Sequence, residues 1–201
     1  MSTAPMSTSV EPTPVEGMHL TPEEFERIAL ADPDRPWELH RGRLVEKPAM
    51  VFRHNDYMFL VGHFIASQLD LSRYRVRVNA GHVRHPATSY YIPDVSVIPL
   101  DQAASFIDRD DVLETYPGPL PLVVEVWSRS TARVDLQKKL PDYMARGDRE
   151  IWFFHPFQRT IRAWRRREDG GYDEIELTGG VAELHALPGV TIDLDQLFTL
   201  A

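Results

Sequence analysis

Two acidic residues lie inside stretches of sequence that otherwise have the composition of buried β-strands. Glu125 falls in the apolar run at residues 122–126, and Asp94 follows Pro93 in the run at residues 90–98. A buried carboxylate is costly unless it is paired or bound to a metal. If the two strands are neighbours, the carboxylates lie side by side and a divalent cation removes their repulsion. Oxygen ligands favour Mg2+ (or Mn2+) over zinc, so the pattern predicts a magnesium site.

A helix that carries lysines is predicted shortly after the Glu125 strand. Residues 128–131 are polar and able to cap a helix, and the helix follows from about residue 134. Leu136 and Leu140 are four residues apart and mark its buried stripe. Lys139 is three residues from Leu136, whereas Lys138 is two residues from it and points elsewhere. Lys139 is therefore the lysine expected to face the acids.

Glu125 and a group of arginines also have purely structural explanations. Glu125 could be a buried acid that forms an ion pair with an arginine, without any role in chemistry. The arginines near the end of the chain could contact phosphates, or they could form the solvated edge of a hairpin; they are Arg162, Arg165, Arg166 and Arg167.

The first half of the chain contains two helix signals and one hairpin signal. Residues 1–17 are rich in Ser, Thr and Pro and are predicted to form a disordered tail, so that a single domain spans residues 18–201. Thr21 is a typical helix N-cap, and its helix should end near residue 31. Residues 37–46 predict a hairpin around Arg41-Gly42. Apolar residues at helical spacing predict a core-facing helix at residues 55–69.

The second half of the chain is dominated by strand signals. Strands are predicted at residues 73–83, 90–98, 122–126, 150–155, 160–165 and 172–177, and a short terminal helix near residues 194–198. Residues 81–89 are read as a turn and residues 101–119 as a loop with a short helix. The expected fold is α/β, a mixed central sheet flanked by helices, with an N-terminal helix and hairpin and a C-terminal antiparallel hairpin extension.

Composition limits the classes of function. The chain has 201 residues, a net charge of −8 and no cysteine, which argues against a strongly basic nucleic-acid coat and excludes disulfides and cysteine nucleophiles. No segment has the apolar length of a membrane span or the pattern of a signal peptide, so no membrane contact and a cytoplasmic location are expected. The aromatic strand at residues 150–155 and its hairpin suggest a homodimer that buries them.

The ordered set of these segments resembles the PD-(D/E)XK nuclease superfamily, and more narrowly the Uma-two family, whose members are described as restriction endonucleases. The similarity covers roughly residues 20–198. It rests on the segments TPEEFERIA, WELHRGRLVEKP, RHND, IPDVSVI, PLVVEVWSRSTARVDLQKKL, GDREIWFFHPFQRTIRAWR and LPGVTIDLDQLF. The resemblance implies a restriction-endonuclease-like fold.

The resemblance also implies a role for each matching residue. Asp94 and Glu125 match the metal-binding acids, Glu38 an additional acid of the site, Lys139 a lysine on the helix, and His54 a histidine at the entrance of the preceding helix. Glu38 has a competing explanation, a surface pair with an arginine of its own hairpin. The position two residues after Glu125, where the superfamily places a lysine, is a tryptophan here. A proline also falls inside the expected lysine helix, where it should kink the axis.

The implied activity is Mg2+-dependent endonucleolytic hydrolysis of DNA phosphodiester bonds. A metal lowers the pKa of bound water, and a nearby lysine holds the nucleophile or the phosphate. The alternative is a nuclease-fold protein without cleavage activity that works as a nucleic-acid or protein-binding module. No Gly-rich phosphate loop, nucleophile elbow or metalloprotease motif is present to support another hydrolase class.

Overall fold

A computed structural model describes residues 14–85, 88–128 and 135–201 of the chain. The helices are α1 (Pro22–Ala31), α2 (Phe52–Ala66), α3 (Leu100–Ala103), α4 (Leu140–Arg146) and α5 (Leu194–Leu200), with a 3-10 turn at Ala104–Phe106 and a π-helical turn at Asp135–Lys139. The strands are β1 (Trp37–His40), β2 (Arg43–Glu46), β3 (Tyr74–Val78), β4 (His82–His85), β5 (Ser89–Tyr91), β6 (Val95–Pro99), β7 (Thr115–Tyr116), β8 (Leu122–Val126), β9 (Glu150–His155), β10 (Thr160–Arg166), β11 (Tyr172–Leu177), β12 (Val181–Glu183) and β13 (Thr191–Asp193).

Two sheets form the frame of the molecule. The central sheet has six strands in the order β11-β10-β9-β8-β6-β3, and it is mixed because β8 and β9 run parallel while its other neighbours are antiparallel. The second sheet has five strands in the order β2-β1-β5-β4-β7, and β12 and β13 pair separately. The predicted α/β architecture with a mixed central sheet is confirmed, and the N-terminal hairpin is one edge of the five-stranded sheet.

Successive side chains of β8 point to opposite faces of the central sheet and pack in two different cores. Leu122, Val124 and Val126 pack with α2 and α5 on one face of the central sheet. Val123 lies on the other face, where the core includes Tyr143 of α4 and residues of the five-stranded sheet. Since side chains of a strand alternate, Glu125 shares the face of Val123 and points toward the space between α4 and the second sheet.

The strand predicted at residues 90–98 is two strands in different sheets. Tyr91 ends β5 in the five-stranded sheet, and Val95 begins β6 in the central sheet. Pro93, which has no N–H for a strand ladder, lies at the crossing between them. Asp94 therefore stands where the chain passes from one sheet to the other.

Three further predictions need correction. The turn predicted at residues 81–89 contains β4, and the strand predicted at residues 73–83 ends at Val78, because Asn79 adopts a positive φ of 49° that breaks the extended backbone. The loop predicted at residues 101–119 contains β7, which pairs with β4. The helix predicted at residues 55–69 begins three residues earlier, at Phe52.

Most of the aromatic side chains that suggest a homodimer are covered within the chain. Trp152, Phe154 and Trp164 are all buried, because β9 and β10 are both interior strands of the central sheet. Phe157, in the turn between β9 and β10, is exposed, and the homodimer stays a prediction.

Two predicted segments lie partly outside the described residues. The tail predicted at residues 1–17 falls mostly on residues 1–13, and the loop and helix start predicted at residues 128–134 fall mostly on residues 129–134. Gly17, which is described, donates its backbone N–H to the carbonyl of Leu44 at 2.8 Å, so residues 14–17 reach the hairpin.

Candidate active site

Asp94 and Glu125 lie at neighbouring positions of the central sheet. Val95 is paired with Val124 in the antiparallel β6–β8 ladder, which sets the preceding Asp94 opposite Glu125. Both side chains are almost completely buried. Asp94 Oδ2 accepts the backbone N–H of Val126 at 2.6 Å, so this carboxylate closes the end of the ladder.

Glu38 joins them from the five-stranded sheet. It lies on β1, and its Oε1 accepts the backbone N–H of Ile92 at 2.8 Å, in the segment that crosses between the sheets. Its Oε2 is 2.6 Å from His40 Nε2. The site is therefore assembled from both sheets. Glu38 forms these buried contacts rather than the surface pair with Arg41 or Arg43 that its hairpin allowed.

Lys139 enters the cluster from the π-helical turn before α4. Its Nζ is 3.1 Å from Glu38 Oε1, 3.2 Å from Glu125 Oε1 and 3.8 Å from Asp135 Oδ1. Lys138 is exposed. The structure thus places Lys139, and not Lys138, against the acids. The turn that carries Lys139 is π-helical, and therefore wider than the α-helix that the sequence predicts.

Lys47 is a second buried lysine that the sequence analysis missed. It follows β2, and its Nζ donates to Asp94 Oδ1 at 2.8 Å, Ile92 O at 2.8 Å and Asn79 Oδ1 at 2.7 Å. Asp94 accordingly has a cationic partner, which the sequence did not reveal. The three lysines of the whole chain are Lys47, Lys138 and Lys139, and all three line the same cavity of about 380 Å³ with the acids.

His54 lies in the first turn of α2 and reaches the same cavity. Its Nε2 is 3.0 Å from Asp94 Oδ2, although among the described residues neither ring nitrogen has a hydrogen bond of good geometry. His54 is therefore buried beside Asp94 and close enough to contact a ligand bound there.

The environment drives the pKa values of the three acids in different directions. Burial favours the neutral form of Glu38, but the charge of Lys139 and the contact with His40 hold its pKa well below the usual range. Burial also favours the neutral form of Asp94, but the contacts with Lys47 and His54 outweigh this effect and hold the pKa of Asp94 below its usual range.

Glu125 behaves in the opposite way. Burial raises the pKa of Glu125 to about 8, because Lys139 only partly offsets burial and the negative charges of Asp135 and Asp94 add to it. Tyr143 donates its hydroxyl to Glu125 Oε1 at 2.6 Å. At neutral pH, without an added cation, the Glu125 carboxyl is therefore mainly protonated while Glu38 and Asp94 are ionised.

The donor chemistry of the cluster fits a hard divalent cation. Opposed carboxylates on neighbouring strands offer oxygen ligands, and a cation would relieve the charge repulsion that helps to raise the pKa of Glu125. Within residues 14–85, 88–128 and 135–201, however, no three His, Asp or Glu side chains converge on one point as ligands of a metal. The lysine ammonium groups occupy the space beside the carboxylate oxygens instead.

Comparison with known proteins identifies the family of the chain. A family model, Uma2, described as "Putative restriction endonuclease", matches residues 22–195. The chain belongs to the Uma2 family. No curated protein matches the chain.

The fold of the Uma2 family member is also similar to a solved structure. This is a crystal structure described as that of "a putative nuclease belonging to DUF820" from Anabaena variabilis ATCC 29413. The match has a TM-score of 0.63 and 16% sequence identity, and it covers 82% of this chain and 90% of that one. The restriction-endonuclease-like fold expected from the sequence is confirmed. Among the described residues, no helix is long and apolar enough to cross a membrane.

Proposed function

We propose that this Uma2 family protein is a Mg2+-dependent endonuclease that hydrolyses DNA phosphodiester bonds. The observation that carries the proposal is the buried cluster of Glu38, Asp94 and Glu125 with Lys139, which the fold assembles from both sheets and the π-helical turn. A surface ion pair does not need such burial. Burying so many charges at the end of a strand pair is costly for stability and is characteristic of reactive sites.

Asp94 and Glu125 would hold the metal ion, with Glu38 as a third acid. When bound, Mg2+ supplies a Lewis acid that neutralises charge on the phosphate and lowers the pKa of water. Lys139 carries a positive charge at this point, because the surrounding acids raise its pKa well above the usual value against the effect of burial. It would stabilise the negative charge that builds up on the phosphate. His54 would contact Asp94 or the substrate, since its Nε2 already lies beside Asp94.

Cleavage assays on plasmid and oligonucleotide DNA with Mg2+, Mn2+ or EDTA test the proposal. We expect metal-dependent cleavage that Asp94→Asn abolishes and that Lys139→Ala reduces about a hundredfold, the typical effect of removing one group that stabilises transition-state charge. Lys138→Ala is the matched control, since Lys138 is the exposed neighbour and should retain activity. Cleavage that persists in EDTA, or equal activities of the two lysine variants, would contradict the assignment.

A binding module without cleavage activity is the second candidate, and the lysine contacts favour it. Lys139 forms an ion pair with Glu38 and also contacts Glu125, and Lys47 forms an ion pair with Asp94, so the acids have lysine partners without a metal. Thermal unfolding with and without Mn2+ separates the candidates. A metal site predicts a rise in Tm that is lost in Asp94→Asn and Glu125→Gln, whereas a silent module predicts no rise in any of the three proteins and no cleavage.

A further inference from the structure

A partly exposed aromatic surface begins two residues after Glu125. Trp127 follows β8, and its ring stacks on His155 with centroids 4.4 Å apart and planes inclined by 23°. Phe157 stands nearly perpendicular to Trp127, with centroids 6.0 Å apart. His155 is fixed because its Nδ1 accepts the backbone N–H of Gln158 at 3.1 Å. We refer to Trp127, His155 and Phe157 as the aromatic ledge.

The aromatic ledge adjoins the candidate active site. Trp127 and Phe157 line a cavity of about 270 Å³ that also has His54 and Met50 in its wall. His54 and Met50 also line the cavity that contains Asp94, Glu125 and Lys139. A ligand that occupies both cavities therefore passes over His54. The volume of the ledge cavity is slightly below the roughly 300 Å³ at which pockets for drug-sized ligands begin, so this cavity suits a single flat ring system.

Charge and exposure at the ledge limit what it can bind. The Arg53 guanidinium lies 5.9 Å from the centre of the Phe157 ring, so a cation accompanies the aromatic surface. Phe157 is 64% exposed, although an aromatic ring of this size is normally covered. An aromatic face with an adjacent arginine is the combination by which proteins bind the bases and phosphates of unpaired nucleic-acid strands.

We propose that the aromatic ledge binds an unpaired nucleobase of the strand whose backbone lies at the acids. The inference rests on the proposed function, since a phosphate at Asp94 and Glu125 is what places a neighbouring base over His54. Stacking needs no particular base edge, because every base has a π face. The ledge would therefore favour substrates with single-stranded or unstacked nucleotides near the point of cleavage, and it would discriminate little between base sequences.

Two binding probes test the ledge without cleavage. One is a short single-stranded DNA oligonucleotide, and the other is an abasic phosphodiester strand of equal length, both titrated in EDTA. We expect the wild-type protein to bind the strand with bases about tenfold more tightly than the abasic strand, the effect of one stacked base. Trp127→Leu and Phe157→Ala should remove most of this preference by weakening binding only of the strand with bases.

Phe59→Ala is the matched control. Phe59 is also 64% exposed and also lies near a histidine, His63, with ring centroids 6.0 Å apart, but it does not line either cavity. This variant should keep the tenfold preference. Tryptophan fluorescence gives a second signal, because the other three tryptophans, Trp37, Trp152 and Trp164, are buried. Oligonucleotide binding should quench the wild-type emission and leave that of Trp127→Leu unchanged.

The outcomes separate this inference from the proposed nuclease activity. No preference for bases in the wild-type protein, or an equal preference in the ledge variants, overturns the ledge whether or not the protein cleaves DNA. A preference that depends on the ledge supports it, even if the cleavage assay shows no activity and the nuclease proposal fails. A wild-type dimer that Trp127→Leu converts to a monomer in light scattering overturns the inference in favour of an interface between two copies.

Discussion

At the scale of single residues, the candidate active site combines buried carboxylates with two buried lysines. Lysine is rare in this chain, which has three lysines among its 22 basic residues, and two of the three are buried at the acids. An ammonium group is a compact charge with three donors. Lys47 uses all three donors, on Asp94, Ile92 and Asn79. This lysine therefore fixes the crossing between the two sheets as well as the charge of Asp94.

Replacing Lys47 by methionine should destabilise the protein by about 3 kcal/mol, because Asp94 loses its cationic partner while it stays buried. Urea unfolding measures this effect. Lys138→Met is the control, since it removes the same charge from an exposed position and should change the stability by less than about 0.5 kcal/mol. The double variant Asp94→Asn/Lys47→Met should recover part of the loss. Equal unfolding midpoints for the two single lysine variants would contradict this account.

The sequence predicts some members of this cluster and not others, for physical reasons. Asp94 and Glu125 each interrupt an apolar run, and the register of neighbouring strands brings them together once the strands pair. Lys47 lies after a hairpin and before a proline, where no periodicity sets its direction. Its contact with Asp94 depends on how two sheets pack, and local sequence contains no signal for that packing.

At the scale of elements, the turn before α4 decides where Lys139 points. Proline lacks an N–H, and its ring clashes with the carbonyl four residues earlier in an α-helix. Pro141 lies at the start of α4, and the preceding turn, Asp135–Lys139, is π-helical. A wider turn accommodates the missing hydrogen bond, and π-helical turns occur often at functional sites. The kink expected from the sequence thus takes the form of a change of helix type that keeps Lys139 inside.

Pro141→Ala should let the turn rewind toward a regular α-helix and expose Lys139. Acetylation followed by mass spectrometry measures this directly, because the chain offers only three lysine side chains. In the wild-type protein Lys138 should react, while Lys47 and Lys139 should be protected by burial and ion pairs. In the variant the reactivity of Lys139 should approach that of Lys138, with Lys47 still protected. A Lys139 that stays protected would show that packing, and not the proline, sets the turn.

The split of residues 90–98 shows how far element prediction from sequence extends. The apolar character of both halves correctly indicates strands, but the same pattern cannot assign them to different sheets. Pro93 was the available signal, since proline is disfavoured inside a ladder. The break at Pro93 puts Asp94 at a strand end, where its carboxylate oxygens can reach groups from both sheets.

At the scale of the whole molecule, the site needs the two sheets to keep a fixed distance, since Glu38 belongs to one and Glu125 to the other. Arg146, at the end of α4, connects them. Its guanidinium donates to the carbonyls of Arg84, Tyr116 and Gly118 at 2.5, 2.8 and 2.6 Å. These acceptors belong to β4, β7 and the segment that leads into β8, so one buried side chain links both sheets to the helix behind Lys139.

Asp148 completes this connection. Its Oδ2 accepts from Arg146 Nε at 3.0 Å, and its Oδ1 accepts the backbone N–H of Leu120 at 2.7 Å, just before β8. Both charged side chains are buried. A buried pair of this kind is strongly destabilising when one partner is removed, because the remaining charge and carbonyls lose their partners.

Arg146→Lys should therefore destabilise the protein by about 3 kcal/mol even though the charge is kept, because an ammonium group cannot replace the spread of guanidinium donors over three carbonyls and a carboxylate. Arg149→Lys is the control, since Arg149 is three residues away and exposed. Urea unfolding gives the stabilities, and lysine acetylation of the folded variants gives the state of the site. Looser contact between the sheets should raise the acetylation of Lys139 in Arg146→Lys but not in Arg149→Lys. If the two variants unfold at the same urea concentration, the connection between the sheets does not depend on Arg146.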